Sequence, residues 1–281
     1  MKDCCFVKAV KMGKRIGVDL GGTHLRVGIV ENGKVLKYIK KSTPKTKDGL
    51  LDELTKSISE CMSDDVEGIG ISSPGPLKDG VLHNTPNLPF KVFNLKKFVQ
   101  DKFKKRVEVE NDVHCIAIAE LNAGVKKKNF LVMALGTGIG GGIVIDGKLY
   151  EGQGYAGEMG HIVVDGGEFL ETIWQRSLKE RKKLFGEKFL IKDLYASKNP
   201  KAREFLSELF ICLGQAVGSY INVFDPEVFV LMGGPRDSGE RFVKSIVKEA
   251  KKYVIIPKMP KVQWSKIPHP GILGASLLLD R

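Results

Sequence analysis

Apolar and polar positions follow two rhythms along the chain, short runs with a period of two and longer stripes with a period near 3.6. Together they predict an alternation of strands and helices. Arg15 to Leu20 forms the first core strand, and Gly28-Ile-Val followed by Asn32-Gly33 predicts a second strand closing in a tight hairpin. Leu50, Leu51, Leu54, Ile58 and Met62 line one face of a helix, and Val66 to Ile71 returns as a strand. Residues 72–90, crowded with proline, glycine and asparagine, predict a long, rigid functional loop that could wall a substrate site. A basic amphipathic helix follows from Asn94 to Lys105, then a strand at Val107 to Val109 and an apolar helix from His114 to Ala123. Phe130 to Leu135 is an apolar strand that stops abruptly at glycines, and Gly142-Ile-Val-Ile with Asp146-Gly147 is a further strand and hairpin. Helices are expected over Phe169 to Phe185 and over Ala202 to Phe224, the second opened by Asn199-Pro200 and closed by Asp225-Pro226. Val228 to Met232 is the last clear strand, and Gly271, Gly274 and Ala275 open a final helix, where packing explains the small residues about as well as function does. The class is α/β.

Two stretches of this pattern repeat. Gly22-Thr23, Gly28-Ile-Val and Asn32-Gly33-Lys34 match Gly136-Thr137, Gly142-Ile-Val and Asp146-Gly147-Lys148 at one constant offset, which predicts an internal duplication. Each copy carries a glycine turn. Turns of this kind expose backbone N–H groups without a Cβ to hold an anion away, so each is a candidate phosphate cradle. Gly136, Gly138 and Gly141 also satisfy a dinucleotide fingerprint, but that motif must open a helix, and here a strand follows. Gly233-Gly234 is a third glycine turn, suited to the flat adenosine moiety of a nucleotide.

A chain of 281 residues exceeds one ordinary core, in keeping with two lobes. The expected division is a tail at 1–14, a small lobe at 15–112 with the C-terminal helix 268–281, and a large lobe at 113–267. Met12 is a candidate alternative start. The net charge of +12 is spread over lysine runs such as Lys102 to Arg106 and Lys126 to Lys128, which read as solvated faces rather than a nucleic-acid stripe. The excess still steers anionic ligands such as ATP. Five scattered cysteines (Cys4, Cys5, Cys61, Cys115, Cys212) read as reduced thiols of a cytoplasmic protein. No apolar run approaches about 18 residues, so neither a membrane span nor a signal peptide is expected.

Candidate chemistry gathers at the strand ends. Asp19 stands immediately before Gly21-Gly22-Thr23, and a carboxylate beside a phosphate turn is reasonable when a cation lies between them, so Asp19 is a candidate Mg²⁺ ligand, direct or through water. Asp112 sits where a strand becomes a helix. It serves there either as an N-cap or as the carboxylate that takes a hydroxyl proton in phosphoryl transfer. Glu158 and His161, three apart among glycines, fit hydrogen bonding to a polyhydroxylated ligand better than a di-iron half-site, which needs a second copy. Glu171, early in the next helix, could reach the same pocket.

The assembled motifs resemble the sugar kinases of the repressor, open-reading-frame and kinase (ROK) family. They are DLGGT at 19 to 23, SPGPL at 73 to 77, PNLP at 86 to 89, END at 110 to 112, GTGIGGGIV at 136 to 144, GEMGH at 157 to 161, DPEVFVLMGG at 225 to 234 and GILGA at 271 to 275. The resemblance implies a duplicated actin-like ATPase fold of ribonuclease-H-like halves, two lobes around a cleft. It implies Asp112 as catalytic base for a sugar hydroxyl, normally the 6-hydroxyl, with Gly75, Asn87, Asn111, Glu158, His161 and Glu171 on the sugar. Asp19, Gly21, Gly22, Thr23, Gly136, Thr137, Gly138, Gly233 and Gly234 are expected on ATP and Mg²⁺. A homodimer is also implied. Members of the family typically carry a zinc-binding cysteine cluster after the Gly-His; here the segment is HIVVDGGEFLE, no zinc is expected, and the position of Glu171 is left less defined. Pro235 is a second departure. The expected activity is a hexose kinase, most like glucokinases, against N-acetylmannosamine or N-acetylglucosamine kinases. A sugar-responsive transcriptional regulator is disfavoured, since the few residues before Asp19 cannot supply a helix-turn-helix.

Overall fold

The computed structural model describes residues 13–85, 87–187 and 190–281. Cys4, Cys5, Met12 and Pro86, named above, lie outside the described residues. The chain divides into one unit of Met1–Ala119 with Pro268–Arg281 and another of Glu120–Ile267.

In the first unit, β1 (Lys14–Leu20) pairs antiparallel with β2 (His24–Glu31), which pairs antiparallel with β3 (Lys34–Ser42). On its other side β1 runs parallel to β4 (Val66–Ser73), and β4 parallel to β8 (Arg106–Asn111). Helix α1 (Lys47–Ser59) starts where the Thr46 side chain accepts from the Gly49 N–H, and it buries Leu50, Leu54 and Ile58 against Ile16, Val18, Val27, Ile69 and Ile71. Met62, expected on the same face, lies beyond the end of that helix.

The stretch 72–90 is not the loop that its proline density suggests. It contains β5 (Leu77–Lys78) and β6 (Val81–His83), which form a small antiparallel sheet with β7 (Val92–Asn94). Asp79 and Gly80 both have positive φ (51° and 77°), the two-residue hairpin turn, and Leu77 and Leu82 are buried beneath it. Helix α2 (Leu95–Phe103) follows, capped by Asn94 on the Lys97 N–H and closed by Lys104 in the left-handed conformation.

The second unit repeats the plan. Strand β9 (Phe130–Leu135) pairs antiparallel with β10 (Ile139–Ile145), which pairs with β11 (Lys148–Leu149), while β9 runs parallel to β12 (Val228–Gly233) and β12 to β13 (Lys261–Trp264). The sheet orders are β3-β2-β1-β4-β8 and β11-β10-β9-β12-β13, three antiparallel strands followed by two parallel additions in each. The duplicated sequence therefore builds duplicated topology. Its hairpins agree in detail: Asn32 and Gly33 have φ of 49° and 73°, Asp146 and Gly147 51° and 75°. Helix α3 (Asp112–Ala123) starts in the first unit and ends in the second, and α4 (Leu170–Phe185), α5 (Ile191–Leu194), α6 (Pro200–Phe224) and α7 (Glu240–Ala250) complete the second unit. By length and hydropathy α6 could cross a membrane, contrary to the sequence reading that no apolar run approaches that size. Its buried face, including Leu209, Leu213, Val217 and Ile221, is packed in the core of the second unit.

The C-terminal helix, Pro270–Leu277, explains its small residues. A Cβ on Gly17 of β1 or Gly70 of β4 would strike the carbonyls of Ile272 and Ala275, and one on Gly274 would strike the Cys115 carbonyl of α3. Backbone thus packs on backbone. Arg15 holds the chain end from below, donating to both carboxylate oxygens of Asp280 at 2.7 and 2.6 Å. Gly70→Ala is expected to destabilise the protein by roughly 1–3 kcal/mol, read as a lower urea midpoint at unchanged slope.

Candidate active site

Asp19, the last residue but one of β1, has its carboxylate on the Arg26 guanidinium of β2 at 2.8 Å, the partner its antiparallel register supplies. Burial nevertheless raises the Asp19 pKa above the ordinary carboxylate value, with Arg26 opposing. Gly271 lies beside this carboxylate, where a Cβ would come within 2.7 Å of its Cγ. The turn Gly21-Gly22-Thr23 is closed by the Gly21 N–H on the His24 carbonyl at 2.9 Å. The Thr43 hydroxyl supports it by donating to Gly21 O at 2.6 Å, as does the Lys45 ammonium to Gly22 O at 2.7 Å. Asn87, exposed and at φ 65°, backs directly onto Gly22, so the expected sugar residue and the expected phosphate turn share one wall. Gly75 stands at φ 86° between β4 and β5.

Asp112 is the first residue of α3, but it is not the helix cap the sequence offered as one choice. Asn111 does that work, its Oδ1 accepting from the Val113 N–H at 2.9 Å and the His114 N–H at 3.3 Å. Asp112 Oδ1 accepts only from its neighbour Val113 at 2.9 Å among the bonds described. Its carboxyl is pushed up to about 6, first by burial and next by the negative charge of Asp19, and the Val113 N–H bond does not reverse this. A carboxylate tuned towards neutrality, next to a second carboxylate, is the pattern of a proton acceptor. Glu110, one residue before the Asn-Asp pair, receives the Asn111 N–H at 2.7 Å and the His114 ring at 3.2 Å. Sequence reasoning passed over it because nothing in END separates a support from a ligand.

In the second unit the Gly136–Gly138 turn is closed by the Gly136 N–H on the Gly138 carbonyl at 2.9 Å, and Gly136 and Thr137 are exposed. Gly233, at φ 119°, is registered on Leu135 so closely that a Cβ would meet its carbonyl. Strand β12 therefore delivers the Gly233-Gly234 turn beside the base of the Gly136 turn. Pro235 is the second residue of a short 3₁₀ helix, Gly234–Ser238, and is buried.

Glu158 is the N-cap residue and His161 the last residue of a short 3₁₀ turn, and the two pair with each other at 3.5 Å, both about half exposed. Glu171, expected on the sugar, is also bonded within the fold. One of its oxygens accepts from the Ile139 N–H at 2.9 Å, the other from Gln175 at 2.9 Å, and Cβ atoms on Gly138 or Gly160 would come within 3 Å of its carboxylate. It thus joins the glycine turn to the Glu158–His161 loop. Trp174, one helical turn on, donates its indole N–H to the Gly136 carbonyl at 2.9 Å, and Tyr220 of α6 donates to the Met159 carbonyl at 2.6 Å. Arg26, Trp174 and Tyr220 were not legible as site supports. The signal for Trp174 was present, since it lies three residues after Glu171 on one helical face.

Two sheets of identical order, each with a glycine turn at the end of its first strand, define the duplicated actin-like ATPase class. Within it, the ROK family model matches residues 15–281, and the chain belongs to the ROK family. Among curated relatives, glucokinase of Thermotoga maritima is 28% identical, covering 95% of this chain and 97% of its own. The xylose repressor of Bacillus spizizenii is also 28% identical over 85% of this chain, but only 69% of its length is matched. Among solved structures, a ROK family glucokinase from Streptomyces griseus, in complex with glucose and AMPPNP, aligns with TM-score 0.81 at 28% identity, covering 95% of this chain and 99% of that one.

Proposed function

We propose that this ATP-dependent sugar kinase transfers the γ-phosphoryl group of ATP to the 6-hydroxyl of glucose, with Asp112 as the base. The observation that carries the reading is the placement of Asp112 at the start of α3, with its carboxyl held near 6 and Asp19 close enough to raise it. In this reading Asp112 takes the hydroxyl proton as the oxygen attacks. The glycine turns at 21–23 and 136–138 receive phosphate oxygens on backbone N–H groups. Asn87 and Asn111 of the first unit and Glu158, His161 and Glu171 of the second hold the sugar hydroxyls.

Mg²⁺ suits the donor set: two carboxylates in one unit, each disfavoured as an anion by burial and one further by the other, are relieved by a divalent cation. Asp19 would hold it directly or through water. Bound, the ion supplies charge neutralisation for the phosphates. The enzyme would act as a cytoplasmic homodimer feeding glucose into glycolysis.

Incubation with Mg-ATP and a panel of glucose, mannose, N-acetylglucosamine and N-acetylmannosamine, followed by ADP release, tests this reading. Glucose is expected to give the highest kcat/KM, and its product should be oxidised by glucose-6-phosphate dehydrogenase. Turnover confined to an N-acetyl sugar would replace glucose as the substrate. Salt-dependent DNA binding without ADP release would favour the regulator.

A further inference from the structure

The glycine turn at 136–138 is held by one helix on two sides. Trp174 is 1% exposed and among the largest fully buried side chains, yet its indole N–H reaches the Gly136 carbonyl at 2.9 Å, at the first residue of the turn. Three residues earlier on α4, Glu171 takes the Ile139 N–H at 2.9 Å, at the first residue after the turn. The two bonds bracket the three glycine-turn residues. A buried indole costs free energy if its N–H lacks an acceptor, and a turn of Gly, Thr and Gly has little side-chain packing of its own to select one conformation. Helix and turn therefore define each other.

We propose that Trp174 is a positioning residue for the nucleotide: through the Gly136 carbonyl it fixes the turn in the conformation that receives phosphate oxygens, and it does not act on the sugar. The proposal rests on the kinase reading above. Two consequences separate it from a purely structural role. Removing the N–H while keeping an aromatic ring should weaken nucleotide use and leave sugar use alone. The ring itself should also sense nucleotide, because its N–H is bonded to the peptide unit that phosphate binding polarises.

The second tryptophan is an internal control. Trp264 is also buried in this unit, but its N–H donates to the Gly239 carbonyl at 3.1 Å and not to the Gly136 turn. Protein labelled with 5-fluorotryptophan gives two ¹⁹F resonances, assigned through Trp264→Phe. AMP-PNP with Mg²⁺ is expected to shift the Trp174 signal more than the Trp264 signal, while glucose alone shifts neither to a comparable extent. In Trp174→Phe the KM for ATP should rise about 5- to 20-fold, as expected for loss of one buried hydrogen bond, with the KM for sugar changed less than 2-fold. Trp174→His, which can again present a ring N–H, should recover part of the difference. Equal movement of both KM values, no movement of either, or a nucleotide response at Trp264 alone would overturn the proposal while wild-type turnover keeps the kinase reading. Absence of ADP release and of any AMP-PNP response in the wild type would remove the reading and the proposal with it.

Discussion

Asp112→Asn is expected to lower kcat by roughly 10²- to 10⁴-fold with the KM for sugar nearly unchanged, and at the same time to make the protein more stable at pH 7.5. Loss of activity follows because an amide cannot take the hydroxyl proton in the transition state. The gain in stability follows from the direction of the Asp112 shift. Its carboxyl is near 6 when folded against 3.8 for an ordinary aspartate, so ionisation is disfavoured in the folded protein. Between about pH 4 and 6 the unfolded chain releases this proton before the folded one does, and stability from this group falls as pH rises through that window. Above it, the folded protein carries an anion that it disfavours. Asparagine keeps the shape and the bond from Val113 but removes the charge, so a rise on the order of 1–2 kcal/mol in unfolding free energy is expected at pH 7.5, vanishing near pH 4. Urea melts at both pH values, beside steady-state kinetics, would check the pair. An Asp112→Asn protein that turns over normally removes the base assignment; one that loses activity and stability together removes the account of its tuning.

Asp19→Asn is expected to act on the same carboxyl from outside. Removing the neighbouring negative charge lets Asp112 ionise more readily, so the acid limb of the kcat/KM profile, expected near pH 6 in the wild type, should move to lower pH. The profile of kcat/KM reports the free enzyme, before nucleotide brings in its metal. Loss of the Asp19 carboxylate should also raise the Mg²⁺ concentration needed for half-maximal rate and lower kcat by roughly 10²-fold, the scale of a lost metal contact. Arg26 loses its 2.8 Å charged partner in this variant. Burial still disfavours the Asp19 anion on balance, so stability at pH 7.5 is not expected to fall in this variant despite that lost pair. A pH profile that stays in place in Asp19→Asn would show that the two carboxylates do not share a field.

Much of this architecture was legible in one dimension because its signals are local. Asn32-Gly33 and Asp146-Gly147 are turn dipeptides between period-two runs, and each adopts the positive φ pair the dipeptide implies. The constant spacing of the two copies carried the topology, since equal strand and turn lengths in equal order lead to equal sheets. Asp79-Gly80 carried the same signal, and the prolines around it obscured a small sheet that Leu77 and Leu82 anchor. Asp112 could be placed at the strand-to-helix junction. Its division of labour with Asn111 could not, because both residue types cap helices and only the backbone direction at the end of β8 selects Asn111.

By itself the sequence determined the order of elements, the duplication, the glycine turns and the identity of the acidic residues beside them, since propensity, periodicity and turn chemistry act over a few neighbouring positions. Only the tertiary structure decided which polar groups meet. Arg26 reaches Asp19 through strand register, Trp174 and Glu171 bracket the Gly136 turn across a gap of more than thirty residues, and Asp112 acquires its raised pKa from burial and from Asp19. Those effects depend on distance through space and on exclusion of water, and neither is written in the spacing of residues along a chain.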